Sequence, residues 1–89
     1  MKVVVITGGF DPLHAGHIAY IEAAKRLGDH LIVGLNSDKW LANKKGKAFM
    51  SMNDRKAVIK SIKGVTGILE FNDEDGTAKD AIKKVRLNY

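Results

Sequence analysis

The sequence of 89 residues contains no cysteine and a single proline. Without cysteine the chain can form neither a disulfide framework nor a thiolate metal site, and nothing in it requires an oxidising compartment. Aromatic residues make up only 7% of the chain, so its core must be built from aliphatic side chains. No apolar run approaches the roughly 20 residues that span a bilayer, and the N-terminal run lacks the features of a signal peptide. We therefore expect a cytoplasmic protein.

The chain is basic, with a net charge of +5 and a pI near 9.6. A positive balance suits nucleic acid, but it suits any polyphosphate ligand equally well. The lysines concentrate at 39–47 and 56–63, and a solvated surface is the simpler interpretation, because several of them should lie on solvated helix faces. A chain of this length predicts one domain, residues 1–89.

Strand and helix patterns alternate along the chain. Short β-branched or aliphatic runs predict strands at 3–7, 31–36 and 67–71. Helical periodicity predicts helices at 17–28, from Ser51 to Gly64, and at 77–86. The order β-α-β-α-β-α predicts an α/β fold, a three-layer Rossmann-like parallel sheet with right-handed crossovers. Ligands of such sheets bind outside the carboxyl ends of the strands.

Helix ends and faces can also be predicted. Ser51 and Asp54 have the spacing of a capping box, with aspartate in place of glutamate or glutamine. Residues 38–41 predict a short helical turn, and residues 42–49 a basic loop around Gly46. The side chains of the first helix expected to face the core are Ile18, Ile21, Ala24 and Leu27.

The stretch 8–17, GGFDPLHAGH, follows the first strand directly and holds two of the three histidines. Gly8 and Gly9 permit a tight turn and a close approach of the backbone to a ligand. A helix that begins near residues 15–17 leaves free N–H groups, which attract an anion. His14 and His17, three residues apart, share a face of that helix or crowd its N-terminus. The stretch therefore predicts a phosphate-binding pocket.

Two other interpretations of the histidines stay open at this point. They could be ordinary polar residues of a loop and a helix cap. The H-x-x-H spacing could also belong to a zinc site, for which His30 or a carboxylate would have to supply a further ligand. No spacing in the sequence points to that ligand, and the position after a buried strand favours phosphate chemistry.

Residues 7–38, TGGFDPLHAGHIAYIEAAKRLGDHLIVGLNSD, resemble the cytidylyltransferase-like nucleotidyltransferase superfamily, whose H-x-G-H motif is here HAGH at 14–17. That superfamily includes glycerol-3-phosphate cytidylyltransferase and the adenylyltransferase domain that makes ADP-heptose. The resemblance implies transfer of CMP or AMP from CTP or ATP to a phosphorylated polyol or sugar, such as glycerol 3-phosphate or heptose 1-phosphate. Pyrophosphate would be released, and Mg²⁺ would be carried on the triphosphate. The resemblance does not distinguish CTP from ATP.

The resemblance also implies roles for individual residues. His14 and His17 would donate to the α- and β-phosphate region, and Lys44 would neutralise phosphate charge. Asp38 and Arg55 would lie near the acceptor phosphate. The residues expected at the nucleotide are Thr7, Gly8, Gly9, Phe10, Asp11 and Gly16, with Asp11 alternatively holding the loop or the acceptor end.

Simpler roles remain possible for several of these residues. Lys45 or Lys47 could point inward instead of Lys44. Asp38 could be a helix N-cap, and Arg55 could pair with a surface carboxylate. Trp40 could stack on a base or simply pack, and Thr7 could merely end a strand.

The chain departs from the family pattern in two places. Other members continue with a further strand and a serine/threonine-rich segment that binds the triphosphate from the far side, so we expect a C-terminally truncated domain. The Arg-x-Val-Asp element of glycerol-3-phosphate cytidylyltransferases is replaced by residues 63–66, KGVT. The alternative function is therefore a non-catalytic nucleotide-binding remnant or interaction domain. An unfinished sheet also predicts a homodimer through its unpaired edge.

Overall fold

The computed structural model describes residues 2–74 and 78–88. In this part of the chain a parallel sheet with the order β1-β2-β3 is flanked by helices, which confirms the Rossmann-like α/β prediction. The strands are β1 (Val3–Gly8), β2 (His30–Leu35) and β3 (Gly67–Glu70). The helices are α1 (Ala15–Lys25), α2 (Asp38–Lys45), α3 (Met52–Lys60) and α4 (Lys79–Asn88). None of these described helices has the length and apolar character that crossing a membrane requires.

The strands run in the same direction, so their carboxyl ends meet at one edge of the sheet. Gly8 of β1 is paired with Leu35 of β2, and Leu35 is paired with Glu70 of β3. At the opposite edge Val3 is paired with His30. His30 therefore lies at the far end of the sheet from the stretch 8–17, too distant to share a metal with the histidines there.

The central strand β2 is buried on both faces, as its continuous apolar run predicts. On one face, β1 and β2 pack with α1 and α3, and the buried cluster comprises Ile6, Phe10, Ile21, Ala24, Leu31, Val33, Leu35 and Ile59. Ile32 alternates to the other face and is equally buried. The helix α4 packs against β1 and buries Ala81 and Val85. The sheet thus forms a rigid platform beneath the loops at its carboxyl edge.

The basic loop predicted at 42–49 is partly wrong, because α2 continues through Lys45. Ser37 begins the helix, its hydroxyl oxygen accepting from the N–H of Trp40 at 3.0 Å. Gly46 ends it with a φ of 93°, and its N–H donates to the carbonyl of Ala42 at 2.8 Å. Glycine adopts this left-handed conformation at little cost. The lysines at 44 and 45 are consequently held on a helix.

Other helix ends differ by a few residues from the predictions. The helix α1 begins two residues earlier than predicted and ends at Lys25, three residues before the predicted end. Ser51 caps α3 as predicted, accepting from the N–H of Asp54 at 3.2 Å, but α3 ends at Lys60. The predicted start of the last helix, Thr77, lies outside the described residues.

The apolar face predicted for the first helix is confirmed only at its centre. Ile21 and Ala24 are buried, whereas Ile18 and Leu27 are exposed. Leu27 lies beyond the last residue of α1, so helical periodicity no longer directs its side chain towards the sheet.

Truncating these two positions should give very different losses of stability. Ile21 is 0% exposed and Leu27 is 60% exposed. Ile21→Ala should lower the free energy of unfolding by about 2–5 kcal/mol, because it leaves a cavity in the core. Leu27→Ala should change it by about 0.5 kcal/mol or less. Urea denaturation measures both, and equal losses would contradict the described core.

Candidate functional site

Two histidines cap the N-terminus of α1. The Nδ1 atom of His14 accepts from the N–H of Gly16 at 3.0 Å. In return, the Nδ1 atom of His17 accepts from the N–H of His14 at 3.1 Å. Histidine therefore occupies both positions of a capping box, which serine or threonine and glutamate or glutamine usually hold. The interpretation of these histidines as cap residues is confirmed.

The two capping bonds determine which ring nitrogen carries the proton. Because Nδ1 of each ring is an acceptor, the neutral imidazole carries its proton on Nε2. The rings of His14 and His17 stack, with centroids 3.9 Å apart and planes inclined by 30°. The ring of Phe10 meets His17 edge-on at 5.1 Å. The helix start thus holds two stacked rings, each with one Nε2–H donor left to use.

The electrostatic surroundings keep His17 neutral. Burial lowers the pKa of His17 below its ordinary value of 6.5, and the neighbouring His14 ring lowers it further. Protonation of Nδ1 would also break the bond from the His14 N–H, because a protonated nitrogen cannot accept. At neutral pH His17 is therefore a hydrogen-bond donor through Nε2.

The backbone around the histidines leaves little freedom for substitution. A Cβ atom on Gly16 would lie 2.9 Å from Cε1 of His14, so a side chain there would push the ring away. Phe10 has a φ of 51°, in the left-handed region that costs a non-glycine residue about 1–3 kcal/mol. Its buried ring, packed in the core and against His17, holds this conformation in place.

Asp11 holds the segment after α2 against the site. Its side chain is 0% exposed, and its oxygens accept from the N–H groups of Phe49 at 2.7 Å and Met50 at 2.6 Å. The ammonium of Lys45 lies 3.0 Å from the carboxylate and also contacts the Asp11 carbonyl. Burial raises the pKa of Asp11, but these donors outweigh it and the net pKa is lowered. Of the roles predicted for Asp11, the structure shows that it holds a loop.

Arg55 is the most extensively bonded side chain near the site, and it is only 1% exposed. Its Nη1 donates to the carbonyls of Gly9 at 3.0 Å and Asn36 at 2.7 Å, and its Nε to Met50 at 3.2 Å. Its Nη2 pairs with the carboxylate of Asp38. Arg55 thus joins the loops after β1 and β2 to α2, which makes it a positioning residue. The contact with an acceptor phosphate expected from the resemblance remains a prediction.

Asp38 is the first residue of α2, and the N-cap is Ser37. The interpretation of Asp38 as an N-cap is therefore wrong. One carboxylate oxygen pairs with Arg55, and the other accepts from the N–H of Met52 at 3.3 Å. Asp38 links the start of α2 to the start of α3.

A cavity of about 590 Å³ opens at the carboxyl ends of β1 and β2. It is lined by Thr7, Gly8, Gly9, Phe10, Asp11, Pro12, His14, His17, Asn36, Trp40, Leu41, Lys44 and Lys45. Most of the predicted site residues therefore meet around one space. The lining does not include Gly16, Asp38 or Arg55, although Gly16 and Arg55 form hydrogen bonds to residues that line it.

The structure shows which lysines face this cavity. Lys44 and Lys45 line it, whereas Lys47 does not. The ammonium of Lys45 forms an ion pair with the Asp11 carboxylate. The ammonium of Lys44 lies 4.7 Å from the centre of the Trp40 ring and has no carboxylate partner among the described residues. Lys44 is thus the cation best placed to meet an anionic ligand.

A groove of about 760 Å³ adjoins the cavity, and Trp40 lines both. The groove runs between α2 and the segment after β3, with Ser37, Lys39, Asn43, Phe71, Asn72, Asp73 and Glu74 along it. The stacking of Trp40 on a base stays a prediction.

The sequence patterns did not identify the buried carboxylate of Asp73 as part of the site. It accepts bonds from Asn36 and Ser37, the two residues that follow β2. The available signal was its place just after β3, because the carboxyl ends of neighbouring parallel strands meet at one edge.

Within residues 2–74 and 78–88, no cluster of three or more histidine, aspartate or glutamate side chains is arranged to hold a metal ion. The two carboxylates nearest the cavity, Asp11 and Asp38, are already engaged by donors of the chain.

The model of the cytidylyltransferase-like family matches residues 5–89. The chain belongs to the cytidylyltransferase-like family. It is 37% identical over 82 residues to glycerol-3-phosphate cytidylyltransferase of Bacillus subtilis, covering 92% of this chain and 64% of that protein. It is 39% identical over 87 residues to bifunctional protein HldE of Methylobacillus flagellatus, covering 96% of this chain and 17% of that protein. The chain thus spans only part of each relative.

A crystal structure of the lipopolysaccharide core biosynthesis protein from Thermoplasma volcanium GSS1 is similar in fold. It superimposes with a TM-score of 0.80 at 33% identity, covering 98% of this chain and 67% of that one. The similarity extends over nearly all of the sheet and helices described above.

Replacing Arg55 by lysine should destabilise the protein although the charge is kept. A lysine cannot reach the carbonyls of Gly9 and Asn36 and the Asp38 carboxylate in the same fork geometry. We expect the free energy of unfolding to fall by about 2–4 kcal/mol, because buried acceptors lose their donors. Exposed Arg26→Lys is the control, with a change within about 0.5 kcal/mol. Equal effects in urea denaturation would refute the role of Arg55.

The lowered pKa of His17 should make stability depend on pH. In the unfolded chain His17 binds a proton near pH 6.5, whereas in the folded protein it does so only at lower pH. The contribution of His17 to the free energy of unfolding is therefore lost as the pH falls below 6.5. The variant His17→Gln keeps the capping bond without titrating. Between about pH 7.5 and pH 5.5 its free energy of unfolding should fall less than that of the unmodified protein. A larger fall in the variant would contradict the assignment.

Proposed function

We propose that the protein is a nucleotidyltransferase that transfers CMP or AMP from CTP or ATP to a phosphorylated polyol or sugar and releases pyrophosphate. The observation that carries this proposal is the stacked pair His14 and His17, which presents two Nε2–H donors at a helix N-terminus. Both rings line a cavity at the carboxyl edge of the sheet, beside Lys44. The similarity to glycerol-3-phosphate cytidylyltransferase supports this class of reaction.

In the proposed reaction an oxygen of the acceptor phosphate attacks the α-phosphorus of the triphosphate. The bond from the α-phosphorus to the β-phosphate oxygen breaks, and pyrophosphate leaves with the bonding electron pair. Negative charge grows on the oxygens around the α-phosphorus and on the leaving oxygen. Donors already fixed in place at those oxygens lower the barrier.

His14 and His17 act in this scheme as donors and not as bases. The Nδ1 atom of each ring is occupied by a backbone N–H, and Nε2 already carries a proton. The positive end of the α1 dipole adds to their effect on an anion. The ammonium of Lys44 would lie against the same phosphates, and the glycines at 8 and 9 would allow a close backbone approach.

The two adjoining spaces suggest how the substrates are arranged. The cavity beside the histidines would hold the triphosphate with its magnesium ion. The groove beyond Trp40 offers amide and carboxylate side chains from Asn43, Asn72 and Glu74, which suit the hydroxyl groups of a polyol or sugar. The acceptor phosphate would then meet the α-phosphorus beside Trp40.

Substitution of either histidine should abolish most of the activity. His14→Ala and His17→Ala should each lower pyrophosphate release by about 10²- to 10³-fold, because one preorganised donor is lost. The assay supplies CTP or ATP with magnesium and glycerol 3-phosphate or a sugar 1-phosphate. His30→Ala, at the far end of the sheet, is the control and should keep full activity.

Two outcomes of that assay would change the conclusion. Full activity in both alanine variants would refute the proposed chemistry. Calorimetric binding of a triphosphate without pyrophosphate release would favour the alternative, a nucleotide-binding module without turnover.

The proposal also covers the substrates of the protein, its location in the cell and its oligomeric state. Its substrates are nucleoside triphosphates and small phosphorylated acceptors, and we expect it to use them in the cytoplasm as a homodimer. Within the described residues β1 pairs with a neighbour on one side only, which leaves an edge for a second chain. Analytical ultracentrifugation distinguishes a dimer from a monomer.

A further inference from the structure

Asp73 forms a connection between two distant parts of the chain. It follows β3, is 5% exposed, and lies 36 residues from Ser37 in sequence. One carboxylate oxygen accepts from the backbone N–H of Ser37 at 2.8 Å and from the Asn36 side chain at 3.0 Å. The other accepts from the Ser37 hydroxyl at 2.8 Å. The Asp73 carboxylate thus stabilises the turn between β2 and α2, although Asp73 itself lies after β3.

The bond from the hydroxyl determines how Ser37 caps α2. A serine hydroxyl has one proton, and here it is donated to Asp73. The oxygen lone pairs are thereby left for the N–H of Trp40, which donates at 3.0 Å. Burial raises the pKa of Asp73, but the donors from Ser37 and Asn36 outweigh it and lower the pKa. Asp73 is therefore a carboxylate at neutral pH and can accept all of these bonds.

The helix α2 depends on such anchors more than the other helices do. It has eight residues, and Leu41 is its only buried side chain, all of α2 being described. An isolated helix of this length is unstable in water. Its position is set at its start by the bonds of Ser37 and Asp38, and at its end by Lys45 and Gly46.

We propose that Asp73 is a positioning residue of the nucleotide site, acting through Ser37 to hold α2 where Trp40 and Lys44 line the cavity. This inference rests on the proposed function for its effect on nucleotide binding. Its structural part, the dependence of α2 on Asp73, stands independently of any activity. Asp73 itself belongs to the groove and does not line the cavity that contains the histidines.

The test uses Trp40, the only tryptophan of the chain, as a reporter within α2. Asp73→Ala should shift the Trp40 indole N–H resonance and increase quenching of its fluorescence by acrylamide. At a temperature where the variant is folded, its affinity for magnesium-bound CTP or ATP should fall by about tenfold, the equivalent of one lost helix cap and its bonds. The His17 titration should stay unchanged, because α1 is capped independently.

A neighbouring carboxylate supplies the control. Asp80 accepts from the N–H of Asn72 at 2.7 Å, so it bonds to the segment after β3 without contacting Ser37. Asp80→Ala should leave both the Trp40 signals and the triphosphate affinity unchanged. If Asp73→Ala does not fold, Asp73→Asn replaces it. Its single amide oxygen cannot accept both sets of bonds, so a smaller loss of affinity of the same kind is expected.

A second substitution distinguishes positioning from a general loss of stability. In the Asp73→Ala background, Ser37→Asp supplies a side chain that caps α2 without an outside partner. It should restore part of the lost affinity and the Trp40 signals. In the unmodified protein the same change places two carboxylates together and should weaken binding.

The outcomes separate this inference from the proposed function. Unchanged Trp40 signals in folded Asp73→Ala overturn the inference, as does unchanged triphosphate affinity. If the unmodified protein binds neither CTP nor ATP, the proposed function fails. The Trp40 measurements then still decide whether Asp73 positions α2.

Discussion

The two backbone hydrogen bonds that the rings of His14 and His17 accept at the start of α1 are the constraint on which the site depends. They satisfy N–H groups that a helix N-terminus leaves without partners, and they use the Nδ1 atoms to do so. The same bonds therefore stabilise the helix and orient the Nε2–H donors. The absence of a side chain at Gly16 follows from this arrangement, because the His14 ring folds over that position. In the proposed reaction the residues that cap the helix would also supply the donors to the phosphates.

Around this motif the site is held together by buried polar contacts more than by apolar packing. Arg55 joins the loops after β1 and β2 to α2, Asp11 holds the segment after α2, and Asp73 holds the turn before it. Each of these charges is largely buried and is compensated by several hydrogen bonds, as burial of charge requires. The apolar core fixes the sheet and α1. The polar contacts then fix α2 and the loops above the sheet, where the ligands would bind.

The sheet and the histidine motif could be predicted because their signals are local. Continuous β-branched runs indicate buried parallel strands, and glycines followed by histidines directly after such a strand indicate an anion site. The helix α2 could not be predicted in full, because a single buried residue, Leu41, gives no apolar periodicity. The end of α2 at Gly46 is shown by the positive φ angle of Gly46, which is known only from the structure. The roles of Asp73 and Arg55 depend on contacts between residues far apart in sequence, which the sequence pattern does not contain. The same is true of the choice between Lys44 and Lys45, since the partner of Lys45 lies 34 residues away.

The central claim is that His14 and His17 act as neutral donors through Nε2, and imidazole ¹⁵N resonances measure this most directly. At neutral pH both rings should carry their proton on Nε2, with Nδ1 unprotonated. Addition of magnesium-bound CTP or ATP should shift both Nε2–H resonances and leave those of His30 in place. A proton on Nδ1 of either ring, or resonances that do not respond to a triphosphate that binds, would contradict the account.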